Sequence, residues 1–140
     1  MADLVITAAN VTPGTATGIS NNDNAGTANG TITAGESLFL DSVSGQLKLA
    51  KADTLADAAF VGISLHAALA GQPIKYRTNG ALNLGAILTV GQWYVVSPTN
   101  AGGIAPLADL TAGNFGTVIG YALTTSQLII NPIASGVAHG

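Results

Sequence analysis

The chain has 140 residues, a formal net charge of −3 and a pI near 4.9; 48% of its residues are hydrophobic and only 8% charged, against about 25% charged in ordinary soluble domains. An acidic balance offers no basic face for phosphate and so argues against nucleic-acid binding, and no run approaches the roughly 18 apolar residues of a membrane span. The absence of cysteine removes disulfide and thiolate chemistry and fits assembly in a reducing cytosol, while MADLVITAANV lacks the basic and apolar regions of a secretory signal.

In chain order, Leu4-Val5-Ile6-Thr7 is a short β-prone run followed by a linker rich in Gly, Asn and Thr, so residues 1–29 read as an arm on an irregular tether. About twenty such residues reach roughly 25 Å, enough to cross to a neighbour. The expectation is that Leu4, Val5 and Ile6 dock outside their own subunit's core, on a capsid protein or a neighbouring copy, with return to the body of their own subunit as the plain alternative. Within the linker, Asn21, Asp23 and Gly26 imitate the start of a calcium loop, but Ile32 falls where the bidentate acid belongs, which makes the stretch a turn.

Residues 30–140 carry the β signal. Thr31–Thr33, Ser37–Leu40 and Gln46–Leu49 are short runs of β-formers, with Asp41–Gly45 as a hairpin connection. Lys51–Ala59 is the one Ala-rich place that suggests a helical turn or two, with Asp as cap. Phe60–His66 and Pro73–Thr78 are strands again. In the second half, Gln92–Ser97, Gly116–Thr124 and Gln127–Asn131 are strands, the last stopped by Pro132, with Pro98–Gly103 as a turn.

The second half repeats the first. Ile32-Thr33-Ala34-Gly35 matches Leu88-Thr89-Val90-Gly91 at an offset of 56 residues (91 − 35 = 56), and Leu38-Phe39-Leu40 then falls on Tyr94-Val95-Val96. Gly45 meets Gly103 and Leu49-Ala50 meets Leu107-Ala108 at 58, Val61-Gly62-Ile63 meets Ile119-Gly120-Tyr121 at 58, and Gly80 meets Gly136 at 56. Offsets that change only in turns are the trace of a duplicated unit, about 30–80 and 87–136. The expected fold is therefore all-β, a compact barrel or sandwich of two duplicated units with an extended N-terminal arm and at most one or two helical turns. The two units share one core, and Leu38-Phe39-Leu40 and Tyr94-Val95-Val96 turn the same face to it.

After Arg77 the only formally charged side chain is Asp109. Such a half makes a poor free surface and is where subunit contacts are expected. Trp93 and Tyr94 are its natural anchors, core filling by Trp93 being the plain alternative.

Chemistry is hard to find. His66 ends a strand with no motif around it and reads as structural, His139 sits beside the terminus, and two His without Cys build no zinc set. Glu36, Asp41, Asp53 and Asp57 are carboxylates, but three fall in turns or caps where Asp is expected for backbone reasons. No nucleophile elbow, phosphate loop or metalloprotease helix is present. The reading is a protein that is not an enzyme and has no cofactor, catalytic or metal-binding residue.

ADLVITAANV, the block AGESLFLDS…GQLKLAKAD, VGISLHAALAGQPI, and the late TVGQWYVVS…IAPLADL…VIGYAL together resemble the capsid decoration, or cement, proteins of tailed bacteriophages. The resemblance spans nearly the whole chain. It implies a β-rich homotrimer that is assembled in the host cytoplasm, binds the major capsid protein on the outer surface of the virion and clamps neighbouring capsomers. A phage tail or fibre adhesion module is the alternative that the same composition allows.

Overall fold

In a computed structural model that describes residues 3–16, 18–54, 57–110 and 113–138, the last five through their backbone alone, the chain is all-β. Its strands are β1 (Thr12–Pro13), β2 (Asn22–Thr27), β3 (Ser37–Leu40), β4 (Leu47–Leu49), β5 (Phe60–Ser64), β6 (Pro73–Asn83), β7 (Trp93–Val96), β8 (Ile104–Pro106), β9 (Phe115–Ala122) and β10 (Gln127–Ala138). Eight of them form one curled antiparallel sheet in the order β4-β3-β5-β6-β10-β9-β7-β8, and β1 and β2 pair with β6. Helical structure among the described residues is limited to the 3₁₀ turns Ala8–Asn10 and Leu107–Asp109. In the Ala-rich stretch Ala58 N–H donates to the Thr54 carbonyl (3.0 Å), and the side-chain cap is the Thr54 hydroxyl, which accepts the Asp57 N–H (3.2 Å), not an Asp. Leu55 and Ala56 lie outside the described residues.

The pairing of β3, β4 and β5 recurs in β7, β8 and β9. Ser37 opposes Ile63 and Leu38 opposes Gly62, then the ladder skips Val61 so that Phe39 opposes Phe60. Trp93 opposes Tyr121 and Tyr94 opposes Gly120, then Ile119 is skipped and Val95 opposes Val118. The bulge therefore sits at the same step in both sets. Elsewhere the register departs from the sequence alignment. Leu38 pairs Leu49 where Tyr94 pairs Pro106, an offset of 57 (106 − 49 = 57). The left-handed turn glycine that answers Gly45 is accordingly Gly102. Arg77 opposes Ile63 and Ile129 opposes Tyr121, so β10 follows β9 by a hairpin six residues shorter (77 − 63 = 14; 129 − 121 = 8). Gly80 and Gly136 are not equivalent in this register.

Gly80 is instead a crossing point within β6. Ile74 and Tyr76 face a small core with Ala28, Ile32, Leu38, Leu47 and Ala68, whereas Leu82, two residues past Gly80, faces the large one. All three have even numbers, so the alternation of a strand would keep them on one face. The register shift between the Asn79 and Arg77 pairings with β2 and the positive φ of Gly80 (112°) turn the strand over. The large core consequently receives Phe39, Phe60 and Ile63 from β3 and β5 but Tyr94, Val96, Ile104, Ile119, Leu128 and Ile130 from β7–β10. Against the expectation of a common inward face, β3 turns Phe39 inward where the equivalent β7 turns Tyr94 and Val96.

The curl is closed by main-chain bonds between its two ends: Ser37 N–H to Gly102 O (2.9 Å), Gly102 N–H to Ala50 O (2.7 Å) and Ala52 N–H to Ser97 O (2.9 Å). The Ser37 hydroxyl adds a bond to Gly103 O (3.0 Å).

The arm belongs to the sheet. Asn22–Thr27 has no apolar alternation, yet it is a strand because the edge of β6 offers it main-chain partners and Arg77 holds Asp23. The Arg77 guanidinium, 5% exposed, donates to both Asp23 oxygens (2.8 and 3.3 Å) and to the carbonyls of Ala81 (2.6 Å) and Gly14 (3.3 Å). Further out, Leu4 N–H donates to Ile104 O (2.8 Å), and Leu4 and Ile6 pack on the large core of their own chain. The Asp3 carboxylate accepts the Ser97 hydroxyl (2.6 Å) and the Asn100 amide (2.9 Å). Within the single chain, Leu4 and Ile6 of the arm therefore lie on the core of their own subunit. Half-burying two apolar side chains and adding one main-chain bond at the edge of β8 is favourable without any neighbour.

Candidate interaction surface

Successive residues of a strand point to opposite faces, so Trp93 and Tyr94 cannot serve one surface. Tyr94 is the inward one: it is 2% exposed, and its hydroxyl accepts the Thr89 N–H (3.0 Å). It anchors the core, which removes it from the candidate interface. Trp93 faces out at 41% exposure and packs against half-buried Tyr121, ring centroids 5.3 Å apart at 60°, close to the edge-to-face arrangement aromatic pairs favour.

Cross-strand register extends this pair into a surface. One row runs Trp93–Tyr121–Ile129 across β7, β9 and β10. The next runs Ala105–Val95–Val118–Ile133 across β8, β7, β9 and β10. Val95, Ala105 and Ile129 are buried within it, Val118 is half-buried, and Ile133 is 55% exposed. Leu123, two residues past Tyr121, is 43% exposed. Every side chain in both rows is uncharged. Sequence reading located Trp93 but missed Tyr121 and Ile133, whose place beside it depends on register. Of the other anticipated contact residues, Val5 is 84% exposed while Leu4 and Ile6 are half-buried against the core.

The titratable groups are engaged locally. Asp41 accepts the Ser44 hydroxyl (2.7 Å) and N–H (3.1 Å), which hold its carboxyl below the usual carboxylate range, with Lys48 nearby. Asp23 is likewise held low by the hydrogen bond from Arg77. Asp53 pairs with Lys51 at 3.4 Å, and Glu36 accepts the Thr33 N–H (2.7 Å). His66 is exposed and ties its hairpin, Nε2 accepting the Lys75 N–H (3.1 Å) and Nδ1 bonded to Ala67 O (2.9 Å); His139 lies outside the described residues. A cleft of about 240 Å³ opens between residues 3–6, 33–36 and 100–104. Its two carboxylates, Asp3 and Glu36, are the ones already bonded to Ser97, Asn100 and Thr33.

Among the described residues no group of three or more His, Cys, Asp and Glu is placed to hold a metal ion, and no helix is long and apolar enough to cross a membrane. Compared with known proteins, the chain matches no family model and no curated protein.

Proposed function

We propose that this chain is a non-enzymatic structural protein of a phage virion, decorating the outer capsid surface and stabilising it by bridging neighbouring capsomers, as a homotrimer. The observation that carries the reading is the uncharged outer face of β7–β10, with Trp93 and Ile133 projecting from it, on a curled half-barrel sheet whose ends are tied by main-chain bonds. Such a face loses little on desolvation, and a stiff body transmits load between the subunits it touches. The resemblance of the sequence to decoration proteins supplies the partner, the major capsid protein, and the assembly route through the host cytoplasm. The shared order, register and bulge of the two strand sets support the reading of the body as a duplicated unit.

The test is to mix the purified chain with expanded tailed-phage capsids that lack decoration. Co-sedimentation with the shells, together with a rise in the temperature at which they release DNA, is the expected result. Binding to host cells or to glycans with none to shells would instead identify an adhesion module.

A further inference from the structure

Two Asn-Gly steps occur in the chain, Asn29-Gly30 and Asn79-Gly80, and the fold treats them differently. Before a glycine the asparagine side-chain amide lies open to the next main-chain nitrogen, because no Cβ shields the approach. Gly80 sits in the β6–β10 ladder opposite Ile130, Asn79 opposes Asn22 of β2, and a Cβ on Gly80 would lie 2.7 Å from Asn21 Cα. Attack there would first have to break strand pairing. Gly30 lies beyond the end of β2; its N–H makes no main-chain hydrogen bond among the described residues, and a Cβ on it would meet nothing within 4 Å. Asn29 is exposed, its side-chain amide donating to Gln46 Oε1 (2.8 Å). The same residue closes a seam. β2, β6, β5, β3 and β4 pair in that order around the small core, and a parallel bridge of Ala28 with Leu47 joins the chain just past β2 to β4, with Asn29 N–H donating to Leu47 O (2.9 Å).

We propose that Asn29 is a self-modification site, where the folded chain deamidates without an enzyme and so loosens the seam of its small core. The Gly30 nitrogen gives up its proton to solvent and attacks Asn29 Cγ. The new C–N bond closes a five-membered succinimide, and the side-chain nitrogen takes up a proton and leaves as ammonia. One water then opens the ring at either carbonyl, giving aspartate or, with the chain rerouted through the side chain, isoaspartate. Water is the only co-reactant, and no redox change occurs. Both products replace the amide that donates to Gln46 with a carboxylate, and add one negative charge to a formal net charge of −3. Isoaspartate also inserts a carbon into the main chain directly after the N–H that bonds Leu47 O. The chemistry needs no partner and so stands apart from the role proposed above.

The full chain is kept at mildly alkaline pH, folded in buffer and unfolded in urea, and its peptides are weighed over time by mass spectrometry. In the folded chain the peptide holding Asn29 should gain about 1 Da, as aspartate and isoaspartate, at least about tenfold faster than the one holding Asn79, whose strand must open first. In urea, where neither step is held, the two rates should come within about threefold of each other. Gly30→Ala has room for its methyl group, so it should melt with the parent and slow the reaction at Asn29 by about tenfold or more. Modified chain, separated by anion exchange, should melt below the unmodified chain. Equal rates at Asn29 and Asn79 in the folded chain, a Gly30→Ala chain that deamidates like the parent, or a modified chain that melts with the unmodified one overturns the proposal. If Gly30→Ala fails to fold, Asn29→Gln takes its place: it keeps the amide donor but must close a less favoured six-membered ring, and reaction at the parent's rate there has the same force.

Discussion

Replacing Gly120 with alanine puts a methyl group where β9 approaches β10 most closely. The added Cβ would run into the Ile129 carbonyl and lie 3.1 Å from the Ile130 Cα. At the equivalent Gly62 it would lie 2.6 Å from the Arg77 carbonyl oxygen and 2.6 Å from Tyr76 Cδ2. The obstacle at both sites is the backbone of a neighbouring strand, which cannot rotate away as a side chain does. Overpacking costs about 1–3 kcal/mol, and a backbone obstacle in mid-sheet belongs at the top of that range. Near 150 residues each kcal/mol moves Tm by about 2–4 °C, so both Gly120→Ala and Gly62→Ala should melt about 6–12 °C below the parent. Scanning calorimetry measures this against Gly30→Ala, where a Cβ meets nothing within 4 Å, and Gly116→Ala, where it meets only the end of Leu110 at 3.2 Å. If Gly120→Ala melts within a degree of the parent, the close approach of β9 to β10 is wrong, and with it the register that makes Gly62 and Gly120 equivalent.

Acid should weaken the fold through Asp23. Its folded carboxyl is held below the ordinary value of 3.8 by Arg77, so the stabilisation is present above that value and is lost as pH falls through the lower, folded one. Melting temperature should be flat from about pH 8 to 5 and fall from there toward pH 2; Asp23→Asn should start lower and fall less steeply, and an unchanged acid slope in that variant would exclude Asp23 as the cause. Removing residues 2–6 strips half-buried Leu4 and Ile6 from the large core at a cost of about 2 kcal/mol, or a drop of about 4–8 °C by circular dichroism, and an unaltered melt would mean that the segment docks elsewhere.

The strands that the sequence made legible are those with dense β-formers. Ser37–Leu40 was read to the residue, and Gln46–Leu49 and Gln92–Ser97 to within one at each end. Strands held by their neighbours were not legible. Asn22–Thr27 carries the composition of a turn and becomes a strand only because β6 and Arg77 await it. Gly80 and Pro132 look like stops, yet β6 passes through the first on a positive φ. β10 passes the second inside the irregularity between Ile130 and Ile133, where a missing N–H breaks no ladder bond. For the candidate surface, composition pointed to the second half of the chain and to Trp93. The alternation of β7 then removed Tyr94, and three-strand register brought in Tyr121 and Ile133, which no local pattern marks.

β10, the latest strand in chain order, lies in the middle of the sheet, hydrogen-bonded to β6 on one side and β9 on the other. During synthesis β6 must therefore wait for its neighbour. At about 5–20 residues per second the 55 residues from Asn83 to Ala138 take roughly 3–11 s to add (138 − 83 = 55). Phe39, Phe60 and Ile63 have only Val11, Ala50, Ala52 and Leu82 of the large core's buried members to pack on at the start of that interval, because its β7–β10 members are still to be made. The small core has no such delay: its buried members, from Ala28 to Tyr76, are all in place before β7 begins. It can hold β3–β6 in register as a first cooperative piece, leaving the nascent chain to expose one apolar face instead of an unfolded half.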